Sequence, residues 1–202
     1  EVAALLTQVE VDPDDPAFAR PDKPIGPVYP RAEGARLAAE RGWTMAEQGG
    51  GLRRVVASPA PLSVRELRVV ARLVEAGVVV VCAGGGGVPV VTRDGVVRGV
   101  PAVVDKDLTA ALLAEGLGAD RLVLLTDVDA VYADWPAARD PIARASFREL
   151  RARAFPAGSM GPKVEAACRF AQATGRPASI GALGSLEAIL EGRAGTCVVG
   201  EG

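Results

Sequence analysis

A glycine-rich segment followed by a lysine offers the most specific chemistry in this sequence of 202 residues. The segment covers residues 155–167 and reads FPAGSMGPKVEAA. Gly158 and Gly161 allow the backbone to pass close to a ligand, and Pro162 suits the first position of a helix, where its missing N–H is not needed. Lys163 would then lie beside unpaired amides, where the helix macrodipole and the ammonium group both favour an anion. The segment predicts a phosphate site, although an ordinary helix start with a solvated lysine has the same spacing.

Two more motifs stand where ligands bind in α/β proteins. Four consecutive glycines, residues 84–87, follow a predicted buried strand, and backbone amides at such a strand end face the ligand crevice. Asp105, Lys106 and Asp107 open a predicted helix, where an acidic residue can cap the first turn and a lysine can bind an anion. A flexible turn and a capped helix with solvated charges are the alternatives that these patterns leave open.

A pair of carboxylates, Asp127 and Asp129, follows Thr126 at the end of another predicted buried strand. Paired carboxylates can hold a metal ion, but carboxylates two residues apart more often cap a turn or the following helix. Magnesium that accompanies a nucleotide is commonly bound by the phosphates with few protein ligands. We therefore predict no metal site in the protein itself.

Composition excludes several classes of function. The sequence contains no histidine, which excludes His-based triads, imidazole general bases and His-ligated metals. Phosphoryl transfer is least affected, because positioning and cations lower its barrier. A net charge of -2 gives no basic footprint for nucleic acid or an anionic membrane. Cys82, Cys168 and Cys197 are widely spaced in apolar segments, which favours free thiols in a reducing compartment and predicts a cytoplasmic protein. The longest apolar region, at residues 69–83, is interrupted by Arg72, Glu75 and Gly77, so we predict a soluble protein without membrane spans.

The order of apolar runs predicts an α/β fold. Ser63 is expected to cap a helix that continues to Val74, and Gly77 then turns the chain into a strand at residues 78–82 that is buried on both faces. Later helices and strands are expected to alternate in a mainly parallel sheet, with a closing strand at residues 196–199. The proline-rich residues 12–61 are instead typical of an inserted or projecting subdomain, or of a surface excursion without chemical importance.

Several segments, in the order that an enzyme would need them, carry a resemblance to a known family. They are VDPDDPAF at 11–18, KPIGPVY at 23–29, RRVVASP at 53–59, AGGGGVPV at 83–90, VDKDL at 104–108, LTDVDAVY at 125–132 and the lysine segment at 155–167. Together they resemble the carbamate kinases, members of the amino acid kinase family. Ala57 and Ala60 depart from the pattern, since family members usually have proline and lysine there.

The resemblance implies a fold, a reaction and a set of site residues. It implies a three-layer α/β/α amino acid kinase fold, with the end of an N-terminal region at 1–11, a lid subdomain at 12–61 and a nucleotide-binding domain at 62–202. The implied reaction is reversible phosphoryl transfer between ATP and carbamate, giving ADP and carbamoyl phosphate, with Mg²⁺ carried by the nucleotide. A homodimer and a place in arginine metabolism are also implied.

The resemblance also assigns roles to individual residues. Lys106 and Lys163 would neutralise the transferred phosphoryl group, Asp107 would orient these lysines by ion pairing, and Lys23 would close over the site from the lid. The glycine loop would bind the substrate, and other residues would border the nucleotide. The expected substrate-binding residues are Gly84, Gly85 and Gly86, and the expected ATP-binding residues are Asp105, Thr126, Asp127, Val128, Tyr132, Ala157, Ser159, Met160 and Gly161.

The start of the sequence departs from the family pattern. A full-length member opens with a strand and a Gly-Gly-Asn loop that holds the transferred phosphate, and nothing before Glu1 supplies them. We therefore expect a fragment, with weak or no turnover if the polypeptide starts at Glu1. Two alternatives remain open: another kinase of the same family, of the acetylglutamate or uridylate kinase type, and a nucleotide-binding module or fragment without catalysis.

Overall fold

The computed structural model describes residues 1–133, 140–155 and 160–200. The strands of this part of the chain are β1 Val2–Ala4, β2 Gln8–Val11, β3 Lys23–Tyr29, β4 Met45–Gln48, β5 Gly51–Val56, β6 Pro61–Val64, β7 Val79–Val81, β8 Val88–Arg93, β9 Val96–Gly99, β10 Leu122–Thr126, β11 Arg144–Ser146, β12 Ala178–Ala182 and β13 Thr196–Val199. The helices are α1 Arg31–Arg41, α2 Leu67–Glu75, α3 Lys106–Gly116, α4 Phe147–Arg151, α5 Met160–Thr174 and α6 Leu186–Leu190. None of these helices is long and apolar enough to cross a membrane.

The chain divides into two compact units that alternate along the sequence. The first unit contains Glu1–Glu66 and Gly77–Asp105, and the second contains Leu67–Ala76 and the described residues from Lys106 onward. Residues 12–61 include α1 and the three-stranded sheet β3-β5-β4. The predicted division into a lid at 12–61 and a nucleotide-binding domain at 62–202 stays a prediction.

The first unit contains mixed sheets. Strands β6, β2, β8 and β9 form one sheet in this order, in which β2 and β8 are parallel and the outer pairs are antiparallel. Strands β1 and β7 form a separate parallel pair. Val9 and Val11 on β2 and Val90 on β8 are buried, so β2 and β8 contribute to the core of this unit. The connection from β7 to β8 contains the glycine loop, residues 84–87.

The second unit is built around α5 and the sheet β10-β12-β13-β11. Val164, Ala167, Cys168 and Ala171 recur at helical spacing on α5 and are buried, as expected for a helix face that packs on a core. Phe170 on the same helix is fully buried, and burial of one such side chain contributes roughly 2 kcal/mol. This packing holds the first turn of α5, which carries Lys163, in a fixed position.

Several local predictions were wrong. Ser63 lies in β6, which pairs antiparallel with β2, and helix α2 begins only at Leu67, so Ser63 does not cap it. Strand β7 was expected to be buried on both faces, yet Val79 and Val81 are exposed, and β7 lies in a sheet of only two strands. The closing strand was predicted correctly at residues 196–199. It runs antiparallel to β12 and parallel to β11, so this mainly parallel sheet contains one antiparallel pair.

Helix α5 also begins earlier than the proline predicts. Its first residue is Met160, and Pro162 is the third helical residue, not the first. A proline is tolerated there because the amides of the first turn have no partner within the helix. Lys163 still lies in the first turn, as the sequence predicted.

Candidate functional site

Asp107 and Lys163 form a buried ion pair in the second unit. The Lys163 ammonium group donates to Asp107 Oδ2 at 2.9 Å, and each side chain is 9% exposed. Asp107 is the second residue of α3 and Lys163 is the fourth residue of α5, and these two helices pack against each other. Helix packing therefore sets the distance between the two charges. A lysine is rarely buried to this extent unless a carboxylate accompanies it.

Lys106 is the second ammonium group at the same carboxylate. Its Nζ lies 3.7 Å from Asp107 Oδ2, the oxygen that Lys163 also contacts, and its side chain is 60% exposed. Lys106 and Lys163 are thus brought to one oxygen atom from two different helices. This arrangement is the one that the ion-pairing hypothesis requires, and the catalytic roles of these residues stay predictions.

The electrostatics of this cluster favour an anion. Two ammonium groups and one carboxylate leave one net positive charge, and both lysines lie in the first turn of a helix. The positive end of the helix macrodipole lies there, and the amides of the first turn have no partner within the helix. The buried Asp107 fixes Lys163, while Lys106 is largely exposed and therefore accessible to a ligand. Such a cluster can stabilise negative charge that develops on phosphoryl oxygens.

A second lysine and carboxylate pair lies in the first unit. The Lys23 ammonium group, at the start of β3, donates to Asp105 Oδ2 at 2.8 Å, with the lysine side chain 33% exposed and the aspartate 10% exposed. Asp105 was predicted to border the nucleotide, and the pairing with Lys23 was not predicted. The two residues are 82 positions apart, and no sequence pattern connects them. This ion pair holds the Lys23 ammonium group at a defined place beside Asp105 within the first unit.

The glycine loop, residues 84–87, packs tightly against the backbone that leads to Asp105. A Cβ atom added to Gly86 would lie 2.0 Å from the carbonyl oxygen of Val104, so only glycine fits there. Around Gly84 and Gly85, in contrast, nothing lies within 4 Å of an added Cβ. Gly86 is thus required by close backbone approach, while Gly84 and Gly85 leave space beside the loop that a small ligand could use.

The segment after β10 contains several of the predicted nucleotide residues. The Thr126 hydroxyl donates to Asp127 Oδ1 at 3.0 Å, and the Tyr132 hydroxyl donates to Asp129 Oδ1 at 2.7 Å. Val128 is half-buried in the same segment. These local hydrogen bonds give the two carboxylates a role in shaping the turn, which is the interpretation that the sequence favoured. The association of this segment with a nucleotide stays a prediction.

The lysine segment is only partly described. Met160 and Gly161 begin α5 and are half-buried, whereas Ala157 and Ser159, which were also predicted to contact ATP, lie outside the described residues. Within residues 1–133, 140–155 and 160–200, no group of three or more acidic, cysteine or histidine side chains is placed to hold a metal ion.

The thiols differ in their environment. Burial raises the pKa of Cys82, which lies two residues before the glycine loop, and raises the pKa of Cys168 to about 11. Cys168 is fully buried and its thiol faces the carbonyl oxygen of Phe147. Both thiols are protonated near neutral pH and are therefore weak nucleophiles.

The model of the amino acid kinase family matches residues 27–182. These residues include the glycine loop and four of the five lysine and aspartate residues of the two ion-pair clusters, namely Asp105, Lys106, Asp107 and Lys163; Lys23 lies before the match. The chain belongs to the amino acid kinase family. The chain is 48% identical over 201 residues to the carbamate kinase of Rhizobium meliloti (strain 1021), a match that covers 98% of this chain. It is 50% identical over 196 residues to the carbamate kinase of Haemophilus influenzae, covering 96% of this chain.

A solved structure gives the same result for the fold. Carbamate kinase from Giardia lamblia bound to AMP-PNP is 39% identical and superposes with a TM-score of 0.87, covering 99% of this chain and 66% of that protein. The predicted amino acid kinase fold is therefore confirmed. The chain spans 62% of the length of the Rhizobium relative and 63% of the length of the Haemophilus relative.

Proposed function

We propose that this chain carries the phosphoryl-transfer site of a carbamate kinase, which moves a phosphoryl group reversibly between ATP and carbamate. The observation that carries the proposal is the contact of Lys106 and Lys163 with one buried carboxylate oxygen of Asp107. The similarity to the carbamate kinases of Rhizobium and Haemophilus supports carbamate as the acceptor.

The proposed reaction needs no covalent intermediate on the protein. A carbamate oxygen forms a bond to the γ-phosphorus of ATP while the bond from that phosphorus to the β,γ-bridging oxygen breaks, and ADP leaves. Lys163 and Lys106 stabilise the negative charge on the transferred group, and Asp107 keeps both ammonium groups in position. Mg²⁺ bound to the nucleotide phosphates would supply further charge neutralisation. The reverse sequence makes ATP from ADP and carbamoyl phosphate.

Three further assignments belong to this proposal. Lys23, held by Asp105, binds phosphate oxygens, and Gly84 and Gly85 bind carbamate or the carbamoyl group. Thr126, Asp127, Val128, Tyr132, Met160 and Gly161 border ATP, a role supported by the binding of AMP-PNP to the Giardia relative. We also propose a cytoplasmic homodimer in arginine metabolism, and the free thiols Cys82, Cys168 and Cys197 fit a reducing compartment.

A substrate panel tests the reaction. ATP formation from ADP is measured for the intact gene product with carbamoyl phosphate, N-acetylglutamyl phosphate or UDP as the phosphoryl donor. We expect ATP only with carbamoyl phosphate. ATP formation from UDP or acetylglutamyl phosphate alone would assign the chain to another enzyme of the family. ADP binding without ATP formation from any donor would favour a non-catalytic nucleotide-binding protein.

A pair of variants on α5 tests the site. Lys163→Ala should abolish ATP formation, because it removes the buried ammonium group at Asp107. Arg169→Ala on the same helix is the matched control, since Arg169 is exposed and pairs with Glu165 one helical turn away. Normal turnover of Lys163→Ala would refute the proposed mechanism, and loss of turnover in both variants would show that helix α5 is merely sensitive to mutation.

A further inference from the structure

We infer that Thr7 is a positioning residue that fixes the conformation of the glycine loop, residues 84–87, for substrate binding. The inference rests on the proposed function, which assigns this loop to the carbamoyl substrate. Thr7 is only 3% exposed and is one of few buried polar residues in the first unit. No sequence pattern singles out Thr7, because a lone threonine between two strands is common.

The topology places Thr7 beside the loop. Strand β1 is parallel to β7, with Ala4 opposite Val81, and strand β2 is parallel to β8, with Gln8 opposite Val88. The connection from β1 to β2, residues 5–7, therefore runs alongside the connection from β7 to β8, which contains the glycine loop. Thr7 is the last residue of the shorter connection.

Thr7 binds both ends of the glycine loop. The Ala83 amide, directly before the loop, donates to Thr7 Oγ1 at 2.8 Å. The Val88 amide, directly after the loop, donates to the Thr7 carbonyl oxygen at 2.8 Å. The Thr7 hydroxyl in turn donates to the carbonyl oxygen of Leu5 at 3.1 Å, which orients its lone pairs toward Ala83. One residue thus fixes the beginning and the end of the loop.

The hydrogen bond to the Thr7 side chain helps to hold Ala83 in a strained backbone conformation. Ala83 has a φ of 63°, a left-handed conformation that costs a residue with a Cβ roughly 1 kcal/mol or more. Strain of this kind persists only where surrounding contacts impose it, and it is concentrated at functional sites. The hydrogen bond from the Ala83 amide to Thr7 is such a contact, and the amide of Gly87 adds another by donating to the Ala83 carbonyl oxygen at 2.8 Å. Without the Thr7 hydroxyl, Ala83 could relax and the following glycine amides would turn away.

Thr7→Val and Thr7→Ser separate the hydroxyl from the rest of the side chain. Valine keeps the shape of threonine but offers no acceptor to Ala83, whereas serine keeps the hydroxyl. In the intact gene product, we expect Thr7→Val to raise the KM for carbamoyl phosphate about tenfold, as for loss of one hydrogen bond, with the KM for ADP within about twofold. Thr7→Ser should restore a KM for carbamoyl phosphate close to that of the wild type.

Thr174→Val is the matched control. The Thr174 hydroxyl also donates to a carbonyl oxygen, that of Phe170, and accepts from a backbone amide, that of Arg176, but it lies at the end of α5. This variant should lose stability without a selective change in the KM for carbamoyl phosphate. An unchanged KM in Thr7→Val, an equal increase in both KM values, or the same increase in Thr7→Ser would overturn the inference.

Amide hydrogen exchange separates this inference from the proposed function. The Ala83 amide should exchange faster in Thr7→Val than in the wild type or in Thr7→Ser. If the wild type forms no ATP from carbamoyl phosphate, the proposed function fails. The exchange rates alone then test whether Thr7 Oγ1 holds the Ala83 amide. Faster exchange confined to Thr7→Val would then support the positioning role, and equal exchange in all three proteins would refute it.

Discussion

Lys163 and Asp107 are 56 residues apart in the sequence, yet their charged groups meet at 2.9 Å in the interior of the second unit. The pair joins the first turns of two packed helices. Charges buried to this degree act on stability and on chemistry together, because each needs the other to compensate for lost hydration.

Stability measurements should therefore show coupling between these two residues. Lys163→Met and Asp107→Asn each remove one charge, and we expect each to lower the free energy of unfolding by about 3 kcal/mol, the typical cost of an uncompensated buried charge. The double variant should lose clearly less than the two single losses added together. Urea denaturation of all four proteins gives the coupling energy, and strictly additive losses would contradict the ion pair.

The glycine loop allows a comparison of neighbouring positions. Gly86→Ala should lower the urea midpoint strongly, because its Cβ would lie 2.0 Å from the Val104 carbonyl oxygen and the backbone would have to move. Gly85→Ala should leave the midpoint nearly unchanged, since nothing lies within 4 Å of its Cβ. Similar midpoints for the two variants would mean that the close approach at Gly86 does not exist in solution.

Lys23 should matter more for turnover than for stability. Its side chain is 33% exposed, and the amide of a glutamine at this position can still donate a hydrogen bond to Asp105, so we expect a loss of stability of only about 1 kcal/mol in Lys23→Gln. Lys23→Gln is nevertheless expected to reduce ATP formation at least tenfold, because an ammonium group proposed to bind phosphate is lost. The control is Arg31→Gln, which removes the exposed ion pair of Arg31 with Glu47. Equal turnover of both variants would remove Lys23 from the mechanism.

The pH dependence of stability should reveal the buried thiol of Cys168. Its pKa is raised to about 11 from the ordinary value of 9.0, chiefly because burial disfavours the thiolate. The stabilising contribution is complete below pH 9 and is lost as the pH rises toward 11, so it falls by about 1 kcal/mol between pH 7 and pH 10. Cys168→Ala should lose correspondingly less stability over that interval. Urea denaturation at both pH values tests this, and equal losses in the two proteins would contradict it.

The sequence predicted the parts of the site that lie next to each other in the chain. The DKD motif, the helix after Gly161 and the loop at 84–87 were all located correctly on helices or strand ends, because local glycine, proline and apolar spacing determine them. The proximity of Lys106 and Lys163 to Asp107 was predicted only from the family resemblance. Residue spacing within one helix does not indicate which other helix packs against it.

Contacts between residues far apart in the sequence could not be predicted from local sequence patterns. The ion pair of Lys23 with Asp105 and the contacts of Thr7 depend on which strands become neighbours, and the periodicity of apolar residues does not encode that order. The same gap explains the error at β7. Residues 78–82 are apolar throughout, but burial depends on what packs against a strand, and Val79 and Val81 have a single neighbouring strand in their sheet.

The exposed valines on β1 and β7 also affect the solubility of this polypeptide. Val2 is 72% exposed, Val79 is 64% exposed and Val81 is 56% exposed, and together they line a narrow ribbon to which a further strand could add. Sulfate salts strengthen the association of such surfaces. The wild type should accordingly become turbid at a lower ammonium sulfate concentration than a variant in which these three valines are replaced by threonine. Threonine keeps the branched shape and adds a hydroxyl.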